Sequence, residues 1–303
     1  MADFSGLNRK YLRLQDLRRL RNVFFASRRV VEGQYAGRHA SPQRGHSVEF
    51  NDYRPYAPGD EIGDIDWKIY GRTDKLFLKL FEHQSDMAVN LIVDGSASMA
   101  YAGLEGTYSK YDHACMMAAA IAFLTIKQQD KVSFGLARGG LESFQRPCGS
   151  FVHLVGILKA MEAISPGGEA GLGQALRKAA AMVARKGLLV VFSDFLDDLE
   201  ETFNALSIYS HRGCEIIVFH VLHADELKLP DVSAAAFQDS ENHRRVAVNV
   251  DDIREAYEAR LGRFLNDVAS HCRGRGMDYN LVSTTTSYNR ALEQYLFQRA
   301  SMA

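Results

Sequence analysis

Residues 91–99 read Leu-Ile-Val-Asp-Gly-Ser-Ala-Ser-Met, "LIVDGSASM". Three apolar residues run into a carboxylate, and two hydroxyls follow at alternate positions behind a glycine. A short, continuous apolar run that stops at a turn is the pattern of a strand buried on both faces, as parallel strands are. "MAVNLIVD" (87–94) is therefore predicted as a strand with Asp94 at its carboxyl end. Working outward, the text alternates such runs with helical periods. Helices are predicted over 110–129, 150–164, 171–187, 197–213, 251–274 and 287–300, and further strands over 131–138, 188–194, 215–222 and 278–284. Residues 139–147 read as a turn and an edge strand, Gly187 as the exit of its helix, and 224–250 as a polar excursion. Strands separated by helices mean a parallel sheet covered on both faces. The expected fold class is α/β, a doubly wound, mostly parallel sheet of three-layer Rossmann type.

In such sheets ligands gather beyond the carboxyl ends of the strands, where the strand order reverses. Two strands here end alike: "LIVD" in Asp94 and "VVFSD" in Asp194. A carboxylate at the mouth of a buried strand is costly unless hydrogen-bonded or paired with a cation, and two at one edge repel each other. Ser96 and Ser98 add neutral oxygens. Hard oxygen donors without Cys or His suit Mg²⁺ or Mn²⁺ rather than zinc.

The chain has 303 residues, 47% apolar and 24% charged, an ordinary globular mixture. The longest apolar run, "CMMAAAIAFL" (115–124), is too short to cross a bilayer, and Met1–Lys10 lacks the apolar core of a secretory signal. Four cysteines without Cys-x-x-Cys spacing read as free thiols. A cytoplasmic location is expected. The net charge of −1 conceals ten Lys/Arg against four Asp/Glu in residues 1–50. "RKYLRLQDLRRLRNVFFASRR" (9–29) reads as a basic amphipathic helix, docked on its own acidic main domain through Leu12, Leu14, Leu17 and Leu20. Its alternative use is a nucleic-acid or membrane surface; no interleaved aromatics favour base stacking, and no nucleic acid is expected.

Asp94-Gly-Ser96-Ala-Ser98 resembles the Asp-x-Ser-x-Ser motif of von Willebrand factor A-like domains, and the order of elements from 87 to 300 is similar to theirs. The resemblance implies a metal-ion-dependent adhesion site, with Asp194 where the family's distal aspartate sits. The family's middle ligand is a threonine after a Gly-Gly pair, whereas "PGGEAGLGQAL" (166–176) offers Glu169 and no hydroxyl. Either Glu169 donates a third carboxylate or the site is degenerate.

A second likeness lies upstream. Arg54-x-Tyr56-x-Pro58-Gly59-Asp60, Ile65-Asp66-Trp67 and Arg72-Thr73 resemble the signature of the bacterial and archaeal family called domain of unknown function fifty-eight, with Gly63 where that family commonly has Arg. "FHVLHADELKLP" (219–230) and "VAVNVDDIREAY" (246–257) resemble its C-terminal part. The resemblance implies a non-enzymatic adaptor or co-chaperone beside a MoxR-type AAA+ ATPase, assembling other proteins. Residues 1–85 are expected as an extension and 86–303 as the main domain. Within the extension, Asp60, Asp64 and Asp66 are natural partners for Arg54 and Arg72, and Trp67 is expected to anchor this segment against the main domain, forming a clasp that serves as a structural element or a docking point. "KLFLKLFE" (75–82) is expected as an edge strand leading into residue 87.

Two enzymatic readings are weaker. "GGEAGLG" (167–173) lacks the strand-first context and the Gly-Lys-Ser/Thr ending of a phosphate loop. Asp94 is the candidate nucleophile of a metal-dependent phosphohydrolase, but Ser96 stands where aspartyl-phosphate enzymes generally place a second acid.

Overall fold

The protein is described from a computed structural model, for residues 8–13, 25, 48–56, 65–83, 88–104, 106, 108–183, 186–238, 240 and 244–301. The chain forms two compact units: 1–34 with 87–303, and 35–86.

The larger unit is built on a six-stranded sheet. Its strands are β3 (Ala88–Asp94), β4 (Lys131–Ala137), β5 (Leu141–Cys148), β6 (Gly187–Ser193), β7 (Cys214–Leu222) and β10 (Asp278–Ser283). They lie in the order β10-β7-β6-β3-β4-β5, parallel except for the antiparallel edge strand β5. Counted from β3, this is the doubly wound order that reverses between the first and fourth strands, here β3 and β6. The expected fold class is what forms.

Alternation along each strand feeds two cores. Val89, Leu91 and Val93 face one layer with Leu188, Val190 and Phe192, while Ile92 faces the other with Leu189 and Val191. The first layer holds helices α2 (Lys110–Lys127), α3 (Phe151–Glu162) and α8 (Tyr288–Ser301). The second holds α4 (Leu172–Ala180), α5 (Leu199–His211) and α7 (Val250–Gly274). Helix α2 is apolar nearly all round and is buried from Lys110 through Ile126 except at Asp112. Buried Asn90 ties the central strands together, donating to Leu188 O (3.2 Å) and accepting from Ser133 Oγ (2.7 Å).

The predicted elements form with their ends shifted by a residue or two, with two exceptions. Helix α4 stops at Ala180, seven residues before Gly187. The Arg212 guanidinium donates to the Ala180 carbonyl, and Met182 N folds back onto Ala179 O. Gly187 instead opens β6 at φ 146°, and a Cβ there would lie 2.7 Å from Ala88 O. The polar excursion is ordered: it contains helix α6 (Ala224–Leu227) and a hairpin of β8 (Ala234–Gln238) with β9 (Arg245–Asn249).

The basic helix expected over 9–29 does not begin where predicted. Arg9 and Leu12 exchange backbone hydrogen bonds (2.9 and 3.3 Å) in a tight turn. Tyr11 and Leu12 are buried in the first core layer, while Arg9 pairs with Glu162 (2.6 Å) and Lys10 with Asp112 (2.8 Å). Docking on the chain's own acidic face is thus observed for 9–12; Leu14, Leu17 and Leu20 lie outside the described residues.

In the smaller unit, β1 (Val48–Pro55) pairs antiparallel with β2 (Phe77–His83), and helix α1 (Trp67–Thr73) lies between them in sequence. The segment 75–82 therefore belongs to this ribbon and not to the large sheet. No described helix is long and apolar enough to cross a membrane.

Candidate functional site

The parallel register places the ends of β3 and β6 side by side, with Val93 opposite Phe192. Asp94 and Asp194 therefore meet at the switch point, as their positions in the sequence predict. Both are buried. Asp94 accepts from Ser96 N through Oδ1 (2.9 Å) and from Ser193 Oγ through Oδ2 (2.6 Å). The Ser96 and Ser98 hydroxyls pair with each other at 3.1 Å. Burial, then repulsion from Asp194, pushes the Asp94 carboxyl up to about 6.

The positive charge that two such carboxylates require comes from the chain itself. Lys110, first residue of α2 and wholly buried, donates to Asp194 Oδ2 at 2.8 Å and to Glu226 Oε1 at 2.5 Å. Burial pulls its ammonium down, but Asp194 and Glu226 outweigh that and hold it above the ordinary value for lysine. Glu226 is aimed by a capping box in which its Oε2 accepts from His223 N (2.7 Å). The other Asp194 oxygen accepts from Leu196 N (3.2 Å), and its backbone carbonyl meets His220 Nε2 at 3.0 Å.

The loops around this network are clamped together. Asp225 accepts from Leu104 N (3.0 Å) and Tyr101 Oη (3.3 Å), and Tyr101 meets His223 edge to face at 5.3 Å. The segment carrying Glu169 packs on the motif through its backbone: Gly167 N donates to Gly95 O and Ala97 N to Gly168 O. The Glu169 side chain is exposed. Outward from the rim stand Leu104 (74% exposed) and Leu196 (51%), with half-exposed Tyr101 and Tyr108.

The donor set as it stands does not fit a resident divalent ion, which takes about six oxygens. Both oxygens of Asp94 and both of Asp194 are already accepting hydrogen bonds, one of them from an ammonium that repels a dication. Among the described residues, no three His, Cys, Asp or Glu side chains are grouped to hold a metal.

Of the expected clasp, Asp60, Asp64 and the Arg54 side chain lie outside the described residues. Asp66 is buried and caps α1, accepting from Lys68 N (2.9 Å) and Ile69 N (3.3 Å). Arg72 is exposed in the last turn of that helix. Trp67 is 57% exposed and meets Tyr70 edge to face at 6.1 Å.

Sequence reasoning missed Lys110, Ser193, His220 and Glu226. Lys110 had one visible signal: a cation at the first position of a helix opposes the helix dipole and needs a partner.

The model of the family described as "Protein of unknown function DUF58" matches residues 52–263. Uncharacterized proteins of Mycobacterium tuberculosis and Mycobacterium bovis are each 25% identical over 261 residues, covering 85% of this chain and 81% of theirs. Among solved structures, BatB from Bacteroides thetaiotaomicron is similar at 15% identity and a TM-score of 0.44, over 71% of this chain and 99% of that one. The VWA domain of SpRpn10 is similar at 11% identity and a TM-score of 0.42, over 69% and 94%. With the family's sequence pattern running through β3, β6 and the rim between them, the chain belongs to the DUF58 family.

Proposed function

We propose that this chain is a non-catalytic protein-interaction module whose docking face is the carboxyl rim, and that it serves as an adaptor for a MoxR-type AAA+ ATPase or one of its clients in the cytoplasm. The observation that carries this reading is the division of labour at the rim. The polar groups are consumed in holding the loops, while Leu104 and Leu196 stand exposed, with part of the Tyr101 and Tyr108 rings accessible beside them. Large apolar side chains on a polar rim are the usual anchors of a docking surface, and a rim already locked loses little freedom on binding. The same division speaks against chemistry at Asp94, whose two oxygens are engaged by Ser96 and Ser193. The choice of partner rests on what the family likeness implies.

The test is the affinity of the purified chain for a MoxR-type ATPase. Replacing both exposed leucines, Leu104→Asp with Leu196→Asp, is expected to weaken binding at least tenfold, about 1.4 kcal/mol. An unchanged affinity would reject the rim as the docking face, and no binding by the intact chain would reject the partner.

A further inference from the structure

An Asp-x-Ser-x-Ser loop beside a distal aspartate is an arrangement built around a cation, yet the cation next to Asp194 is a side chain. We propose that Lys110 is the resident cation of the rim, standing in for a divalent ion, so that the native protein holds its carboxyl edge together without bound metal. Three observations converge on this. The ammonium is wholly buried, so it is not a surface charge that drifts away to admit an ion. It bridges two carboxylates from different elements, Asp194 after β6 and Glu226 in α6, which joins neighbouring loops as a shared metal does. It also sits at the start of α2, against the helix dipole, where those two acids offset the cost.

The donor geometry agrees. The neighbouring rim groups satisfy one another: Asp94 accepts from Ser193 Oγ and from Ser96 N, and the Ser96 and Ser98 hydroxyls pair. A dication entering here would have to displace these hydrogen bonds and lie against an ammonium. Removing the ammonium reverses the balance. Asp194, which lies beside Asp94, and Glu226 would then lack their counter-charge, a set of carboxylates with every reason to bind an ion.

The test needs no partner, so its failure is distinct from failure of the docking reading. Purified full-length chain, stripped with chelator, is titrated with Mn²⁺ and followed by the electron paramagnetic resonance of free Mn²⁺ and by thermal melting. The wild type is expected to take up no ion at this rim and to melt at the same temperature with Mn²⁺ or chelator. Lys110→Met is expected to melt lower, to bind one Mn²⁺ per chain, to recover stability with the ion, and to lose the site when Asp94→Ala is added. If Lys110→Met does not fold, the wild type compared with Asp94→Ala decides alone. One Mn²⁺ bound by the wild type and lost in Asp94→Ala overturns the proposal. So does a folded Lys110→Met chain that stays free of metal.

Discussion

A buried ammonium is stable only while its acids remain, and the acids only while it does. Breaking one side of a buried ion pair leaves an uncompensated charge and typically costs about 3–5 kcal/mol. Lys110→Ala is therefore expected to lower the unfolding free energy by about that much in urea denaturation, whereas Arg177→Ala, from a loose, half-exposed pair with Glu201, is expected to lie within about 0.5 kcal/mol of wild type. Two buried histidines contribute to the acid limb. His220 is pushed down to about 4 by burial, against the pull of Asp194, and His113 to about 4 by burial alone. Their folded values lie below the unfolded value of 6.5, so the unfolded chain takes up protons first. The stability they carry is complete above pH 6.5 and is lost as pH falls toward 4, about 3 kcal/mol for each. Asp94 opposes them. Its folded value of about 6 lies above the ordinary 3.8, so on its account the fold gains stability as pH falls through 6. Asp94→Asn, which removes this titration, should thus lose stability more steeply than wild type between pH 6 and 4. His113→Leu should flatten that loss; its Nε2 has no hydrogen-bond partner among the described residues, so its removal leaves no other group unpaired. Denaturant melts across that pH range check both variants.

Elements were legible in the sequence where burial was complete. Strands β3, β6 and β7 and helix α2 announced themselves as apolar runs because both sides of each are covered. The hairpin of β8 and β9 did not, since its residues are largely exposed and "AAAFQ" carries no clear alternation. The end of α4 was misread because it is set by Arg212, a side chain from the next helix, and such a stop leaves no local mark. At the start of α2 the signal is local and strong. Ser109 and Asp112 form a reciprocal capping box, with Asp112 N donating to Ser109 Oγ at 3.0 Å and Ser109 N to Asp112 Oδ2 at 3.2 Å. Ser109→Ala is expected to cost about 1 kcal/mol, read as a lower thermal midpoint. Because Lys110 is the next residue, fraying of this turn should also loosen the rim, and faster amide exchange at Leu196 would report it.

For the molecule as a whole, the topology did most of the work of finding the site. Once the alternation of strands and helices implied a doubly wound sheet, Asp94 and Asp194 had to fall on one edge, and the order β10-β7-β6-β3-β4-β5 puts them on adjacent strands at the reversal. Lys110 and Glu226 were out of reach for the same reason. They stand 84 and 116 residues from their partners in the network, and no spacing rule links a helix start, a strand end and a short helix in a polar stretch. A different property follows from the way the backbone threads its two units. Residues 34 and 87 both belong to the larger one, so the 35–86 stretch departs from and returns to a single scaffold. Proteolytic nicking within that excursion would break the covalent thread without freeing the leading peptide. Tyr11 and Leu12 remain seated, each worth about 1.5–3 kcal/mol of burial, and the Arg9–Glu162 pair still latches it. The severed halves should elute together on gel filtration and separate only in denaturant, which makes the chain a natural candidate for reconstitution from two separately expressed pieces.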